Sequence, residues 1–233
     1  MSERISFYIE DNIAEVKLNR ADKHNALDHE MFEAILNIGD QLARDDSIRA
    51  VILYGAGESF CAGIDLSMFA GEGLADDFNE RMKRRDSSLA NYYQSAAYIW
   101  REIPVPVIAV LHGAVYGGGL QIALGADIRY ASKSMKLSIM EIKWGIIPDM
   151  AMTTSLPYLM NIDRALEMAM TADILDSDEA FGKGLITAIK EKPLEEARAL
   201  AKKIANKSPD AIRSIKRLFY QTCLLYTSPS PRD

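Results

Sequence analysis

The chain has 233 residues, 48% of them hydrophobic, and a formal net charge of −6. That length buries one sizeable core, so one main domain is expected, and the acidic balance argues against a nucleic-acid surface while allowing a local patch for an anionic ligand. Two cysteines, Cys61 and Cys223, make no disulfide framework, no stretch is apolar enough to span a bilayer, and the strand pattern starting at Ile5 leaves no room for a targeting segment, so the cytoplasm is the default compartment.

Ile5–Ile9 and Ala14–Leu18 alternate at period two around Asp11-Asn12, which predicts a hairpin. Asp28 is placed to cap a helix carrying Met31, Phe32, Ile35, Leu36, Ile38 and Leu42. Ala50–Tyr54 reads as a buried strand feeding the turn Ser59–Leu66. The stretch Gly71–Asp86 is charged and poorly patterned, a candidate lid. A helix from Leu89 to about Arg101, a second buried strand at Val107–Leu111, the turn Gly117-Gly118-Gly119 and a helix through Leu124 repeat the order strand, turn, helix, as in a layered α/β fold. From Asp163 the reading is mostly helical, and Ser208-Pro209 opens a helix carrying Ile212, Ile215 and Leu218. Leu224–Asp233 breaks the pattern and resembles the translation of a sequencing-library adapter, so it is set apart from the fold.

The chemistry rests on the two glycine turns, because each can present a bare backbone N–H. Two such groups aimed at one point form an oxyanion hole, which stabilises charge developing on a carbonyl oxygen. Glu141 and Asp149, flanking Trp144–Pro148, supply proton-moving groups after the second turn. Each residue also has a plainer reading: Asp149 as a helix cap, Glu141 as a solvated charge, Cys61 as packing, and Met135, Met140, Met150, Met152 and Met160 as core filler, with an acyl-pocket lining as the alternative for some of these methionines. His24, His29 and His112 show no ligand spacing, so no metal site is expected. Hydrolase, nucleotidase and dehydrogenase motifs are absent from the sequence.

From Ile5 to Gln221 the chain resembles the crotonase family, the enoyl-CoA hydratase and isomerase superfamily. The resemblance lies in Leu18–Leu27, Phe60–Leu66 and His112-Gly113 through Gly117-Gly118-Gly119, in order and separation. It implies an α/β spiral of ββα units over residues 1–190, an incomplete helical region over 191–222, a non-native tail over 224–233, and homotrimers or hexamers once the C-terminus is complete. The implied substrate is a coenzyme A thioester, with no separate cofactor, no nucleic acid and no membrane insertion. By the same resemblance the oxyanion N–H groups belong to Ile64 and Gly118. Ala62 offers its carbonyl to the coenzyme A adenine, Asp65 and Leu66 line the same loop, and Lys23 attracts phosphates.

The chain departs from the family's hydratases, which use two glutamates to hold water. Gln121 stands at the first of these positions, and an amide orients a water without taking its proton. Glu141 holds the second, and Asp149 matches a second acid of the family's dienoyl-CoA isomerases. The expected reaction is therefore an enoyl-CoA or dienoyl-CoA double-bond shift in fatty-acid oxidation, with Glu141, Asp149 and Gln121 as catalytic candidates. Hydration, a retro-aldol or decarboxylation step, and non-catalytic acyl-CoA binding are the alternatives.

Overall fold

A computed structural model describes residues 4–69, 78–86 and 88–225. Strands β1 (Ile5–Glu10) and β2 (Ile13–Leu18) form the expected hairpin. Asp11 and Asn12 turn it with φ of 51° and 63°, the left-handed pair a two-residue hairpin demands and these side chains tolerate. Helix α1 (His29–Arg44) starts where the Asp28 carboxylate accepts the Met31 N–H at 2.8 Å. Strand β3 (Ala50–Gly55) follows, then α2 (Phe78–Arg81) and α3 (Tyr92–Glu102). Helix α3 begins later than the apolar pattern from Leu89 predicts, because Asn91 and Gln94 close a reciprocal capping box and leave Leu89 exposed.

Next come β4 (Val107–Leu111), β5 (Ala114–Tyr116), α4 (Gly118–Gly125), β6 (Ile128–Ala131) and β7 (Lys136–Ser138). Beyond them lie α5 (Ile162–Thr171), β8 (Leu175–Asp176), α6 (Ser177–Gly182), β9 (Ala188–Ile189), α7 (Pro193–Ala205) and α8 (Pro209–Leu225). The larger sheet runs β1-β2-β3-β4-β6-β9 and is parallel except for the β1 hairpin. A smaller sheet, β5-β7-β8, lies beside it.

A strand buried on both faces reads as a continuous apolar run, and β3 and β4 do. Their side chains sort by alternation: Val51, Leu53, Val107, Ala109 and Leu111 join the main core with α1, α3 and α4, while Ala50, Ile52, Ile108 and Val110 join a second cluster with Ala197 and Ala201 of α7. Helix α7 therefore covers the back of the sheet. Full burial of a side chain such as Ile52 contributes about 2 kcal/mol.

The repeat that builds the spiral is a strand in the large sheet, a short step in the small one, then a helix or turn. After β3 the step is Cys61, bridged to Val115 of β5; after β4 it is β5 itself, leading into α4; after β6 it is β7, leading toward Glu141. The Phe60 and Cys61 N–H groups donate to His112 and Ala114 carbonyls at 2.8 and 3.1 Å, so the chain after β3 is hydrogen-bonded alongside the chain after β4. That parallel course sets the two glycine turns side by side.

Of the candidate lid, residues 71–77 lie outside the described residues, as do 226–233 of the adapter-like tail. The described part contains α2, whose Phe78 ring lies 6.2 Å from that of Tyr93. On α8 Ile215 and Leu218 are exposed and Ile212 is half-buried, and among the positions whose burial is described the buried one is Lys216. No helix among the described residues is long and apolar enough to cross a membrane.

Candidate active site

The first turn is held by the loop Arg20–Leu27. Leu27 donates to the Gly63 carbonyl at 2.8 Å and accepts from the Asp65 N–H at 3.0 Å, a parallel bridge centred on Ile64. In such a bridge the central residue's own N–H points away from its partner strand. The Ile64 N–H thus faces away from Leu27 and meets no acceptor among the described residues. Gly63 makes the bend at φ +94°, where a Cβ would stand 2.7 Å from the Tyr116 carbonyl oxygen and 3.4 Å from the Gly118 nitrogen. The two turns are therefore in contact.

The second turn ends β5 and starts α4. The Gly117 N–H donates to the Ser138 carbonyl at 3.0 Å. Gly118 is the first helical residue, so its N–H has no carbonyl to donate to within the helix, and Gly117 brings no capping side chain. This N–H sits at the positive end of the helix dipole, where an anionic oxygen is favoured. Gly119 allows the close approach: a Cβ there would lie 2.3 Å from the Cys61 carbonyl oxygen.

Behind these amides stands a buried polar pair. The short helical turn Glu141–Trp144 places Glu141 over Gly117, and Glu141 is 6% exposed. Gln121, on the first turn of α4 and 2% exposed, donates Nε2–H to Glu141 Oε1 at 2.7 Å. Glu141 Oε2 and Gln121 Oε1 are buried without a hydrogen-bond partner among the described residues. Burial pushes the Glu141 carboxyl above the usual glutamate range, opposed by its own backbone N–H, the Gln121 bond and the Met140 N–H, with the charge of Asp149 adding least to the rise.

Ala62, Gly63, Ile64, Leu66, Gly117, Gly118, Met140, Glu141, Trp144 and Ile146 enclose a cavity of about 40 Å³, room for about one water. Five of the sequence candidates, Ala62, Ile64, Leu66, Gly118 and Glu141, thus line one space, and Gln121 joins it through its bond to Glu141. Asp149 is exposed and does not line the cavity; nor is it a helix cap, since Ala151 occupies that position for the turn Met152–Thr154. Lys23 is exposed at the end of the turn Ala21–Lys23.

Asp65 has a structural task. The Ser67 backbone N–H at 3.0 Å and hydroxyl at 2.8 Å, with Arg20 Nη1 at 2.6 Å, hold its carboxyl down at about 2. Cys61 is packing: burial lifts its thiol to about 12, far from a nucleophile's range. Of the methionines read from the sequence as core filler or acyl-pocket lining, Met140 lines the cavity, while Trp144 and Ile146 were not singled out as walls, nor Asn25 and Arg20 as braces. Asn25 takes a left-handed backbone, a conformation asparagine tolerates, so its residue type was the one signal the sequence carried for it. Among the described residues no cluster of three or more His, Cys, Asp or Glu could hold a metal.

Parallel strand–turn–helix repeats whose two glycine turns share one cavity with a buried carboxyl define a crotonase-type α/β protein. The family model for enoyl-CoA hydratase/isomerase matches residues 8–227, and by that match the chain belongs to this family. It is 33% identical over 211 residues to a human mitochondrial Delta(3,5)-Delta(2,4)-dienoyl-CoA isomerase, an alignment covering 88% of this chain and 64% of the relative. The chain thus spans under two thirds of that relative's length. It is 29% identical to the (E)-benzylidenesuccinyl-CoA hydratase of Thauera aromatica, over 91% of this chain and 80% of the relative. A Thermobifida fusca crystal structure determined in complex with acetoacetyl-CoA superposes with a TM-score of 0.83 at 29% identity, covering 95% of this chain and 88% of that one.

Proposed function

We propose that the protein binds an enoyl- or dienoyl-coenzyme A thioester and shifts its double bond. The observation carrying the proposal is the Gln121–Glu141 pair set against the Ile64 and Gly118 amides. The thioester oxygen accepts from both N–H groups, which acidifies the neighbouring C–H. Glu141 Oε2, left free by the bond at Oε1, takes the proton; the C–H electron pair moves into the conjugated system and its charge rests on the thioester oxygen as a dienolate. Return of that proton from Glu141 to the other end of the system re-forms the carbonyl and completes the isomerisation; in the two-acid version the exposed Asp149 delivers a proton taken from water while Glu141 releases its own to water. The Ala62 carbonyl receives the adenine amino group, Lys23 draws the phosphates, and no further cofactor is required.

Gln121 supports isomerisation over hydration because it cannot act as the second base for water. Hydration is the second reading, favoured by the two acceptor oxygens, on Glu141 and Gln121, that meet no partner among the described residues. The named relatives include both kinds of enzyme. Side-by-side assays of an enoyl-CoA and a 3,5-dienoyl-CoA decide between them: a preference for hydrating crotonyl-CoA reverses the order proposed here. Assembly as a trimer or hexamer belongs to the same reading; Ile162, Leu166 and Met170 form an exposed stripe on one face of α5 that contact with another copy would cover.

A further inference from the structure

Asn25 has no exposed surface and sits beneath the first turn with φ +56°. Its Oδ1 accepts from the Arg20 N–H at 2.9 Å, and its Nδ2 lies 2.9, 2.8 and 3.1 Å from the carbonyl oxygens of Ala56, Ser59 and Phe60. Two hydrogens serve three acceptors, so one is shared. Its backbone carbonyl also accepts from Cys61 Sγ at 3.1 Å. These contacts fasten the whole run-in to the turn, from the end of β3 to Cys61. Two residues along the chain from Asn25, Leu27 grips Gly63 and Asp65 on either side of Ile64. Asn25 and Leu27 therefore clamp the same turn from below, one by side chain and one by backbone, with the Ile64 N–H facing away from the clamp.

We propose that Asn25 is a positioning residue that sets the aim of the Ile64 N–H, one half of the oxyanion hole. The inference rests on the oxyanion reading above. It reaches beyond that reading by assigning the precision of the donor to a side chain on the loop preceding α1. An oxyanion donor acts by being fixed in advance where charge develops, so a few tenths of an ångström of freedom in the turn weakens it without removing it. The chemistry requires the amide. A carboxylate of the same shape would set lone pairs against three carbonyl oxygens, and an aliphatic residue would leave those carbonyls unpaired. The other braces, Ala62 N–H to His24 carbonyl at 2.9 Å and Arg20 to Asp65 at 2.6 Å, survive loss of the side chain. The turn is then loosened while the fold persists.

The test binds hexanoyl-CoA carrying a ¹³C carbonyl, a saturated thioester with no double bond to move, to the wild type, Asn25→Gly, Asn25→Asp and Ile13→Ala. The carbonyl stretch is read by isotope-edited infrared spectroscopy, with kcat and KM measured on an enoyl-CoA. Glycine keeps the backbone conformation and removes the amide; aspartate keeps the shape and removes the donors, and carries the same reading if glycine fails to fold. Ile13→Ala weakens the core on the far side of the sheet and controls for stability. Both Asn25 variants should lose at least half of the carbonyl shift and tenfold or more in kcat, with KM changed less than threefold. Ile13→Ala should melt earlier yet keep the shift and kcat. A full shift and near-normal kcat in the Asn25 variants overturns the role of Asn25 alone. An unshifted carbonyl on the wild type overturns the oxyanion reading, and this inference with it.

Discussion

Gln121 donates to Glu141 across 2.7 Å, and neither residue has another hydrogen-bond partner for its remaining side-chain oxygen among the described residues. The amide hydrogen bond favours the ionised carboxylate, while burial favours the protonated acid, and burial is the stronger effect. The pair therefore holds one proton acceptor above the usual glutamate range. That balance suits a base that must both take a proton and give it back.

Glu141→Gln should keep thioester binding and lower turnover about a hundredfold or more, as loss of a positioned general base does. In the wild type, kcat should rise with pH along a limb lying above the ordinary glutamate pKa, because only the ionised form accepts the proton. Stability runs the opposite way. A carboxyl whose folded pKa is raised binds more protons folded than unfolded, so its contribution is full at low pH and is lost as pH rises through the folded value. The variant, with no charge to bury, should therefore melt higher than the wild type at pH 8 and gain less at pH 4. Calorimetry at the two pH values, beside the rate profile, checks both signs.

Gln121→Glu puts a second carboxyl within hydrogen-bond distance of the first. Two buried carboxyls so close cannot both ionise at ordinary pH, so one pKa rises further and the pair titrates as a unit. Hydration of crotonyl-CoA should increase relative to isomerisation, and the pH–rate profile should shift to higher pH. An unchanged ratio of the two activities would show that this position does not choose between them.

The two glycine turns were legible in the sequence because their demands are local: a left-handed bend at Gly63 and a side-chain-free approach at Gly119 each exclude other residues. The hairpin at Asp11-Asn12 and the run Val107–Leu111 were legible for the same reason. Strands β5, β7, β8 and β9 were not, since two or three residues are too few to show a period. Nor could the sequence pair Asp65 with Arg20, forty-five positions apart. It does not pair Lys216 with Asp127 either, eighty-nine positions earlier, the contact that accounts for the burial of the lysine.

Gly118→Val tests the second amide. A Cβ at Gly118 would stand 3.0 Å from Leu27 Cδ1 and 3.1 Å from Met150 Sδ, both ends of flexible side chains, so alanine should be accommodated with small shifts. The two further methyl groups of valine press into the space the thioester needs and turn the amide from its aim. The expected cost is about 3 kcal/mol of transition-state stabilisation, similar to deletion of one oxyanion donor. Circular dichroism should show a folded protein. Normal turnover in that folded variant would remove Gly118 from the site.

Lys216→Met tests how α8 is fastened to the body. Its ammonium reaches the Trp100 and Val105 carbonyl oxygens at 3.1 and 3.0 Å and Asp127 Oδ2 at 2.8 Å, and burial lowers its pKa against the pull of Asp127. Asp127 also accepts from the Val107 N–H at 2.7 Å and from the Tyr220 hydroxyl at 2.6 Å, so one carboxylate ties the start of β4 to α8. Methionine preserves the volume and apolar stem but leaves the Trp100 and Val105 carbonyls without this donor, and leaves the Asp127 carboxylate with the Val107 N–H and Tyr220 hydroxyl but no counter-charge from α8. Leaving such groups unsatisfied costs about 1–3 kcal/mol, and the loss should appear first as local opening of α8. Hydrogen exchange should accelerate across Pro209–Tyr220 while the amides of β3 and β4 keep their protection, because α7, not α8, covers the back of the sheet there. Uniform acceleration across the whole chain would instead mean that α8 unfolds only with the core, and that the lysine is part of the cooperative unit.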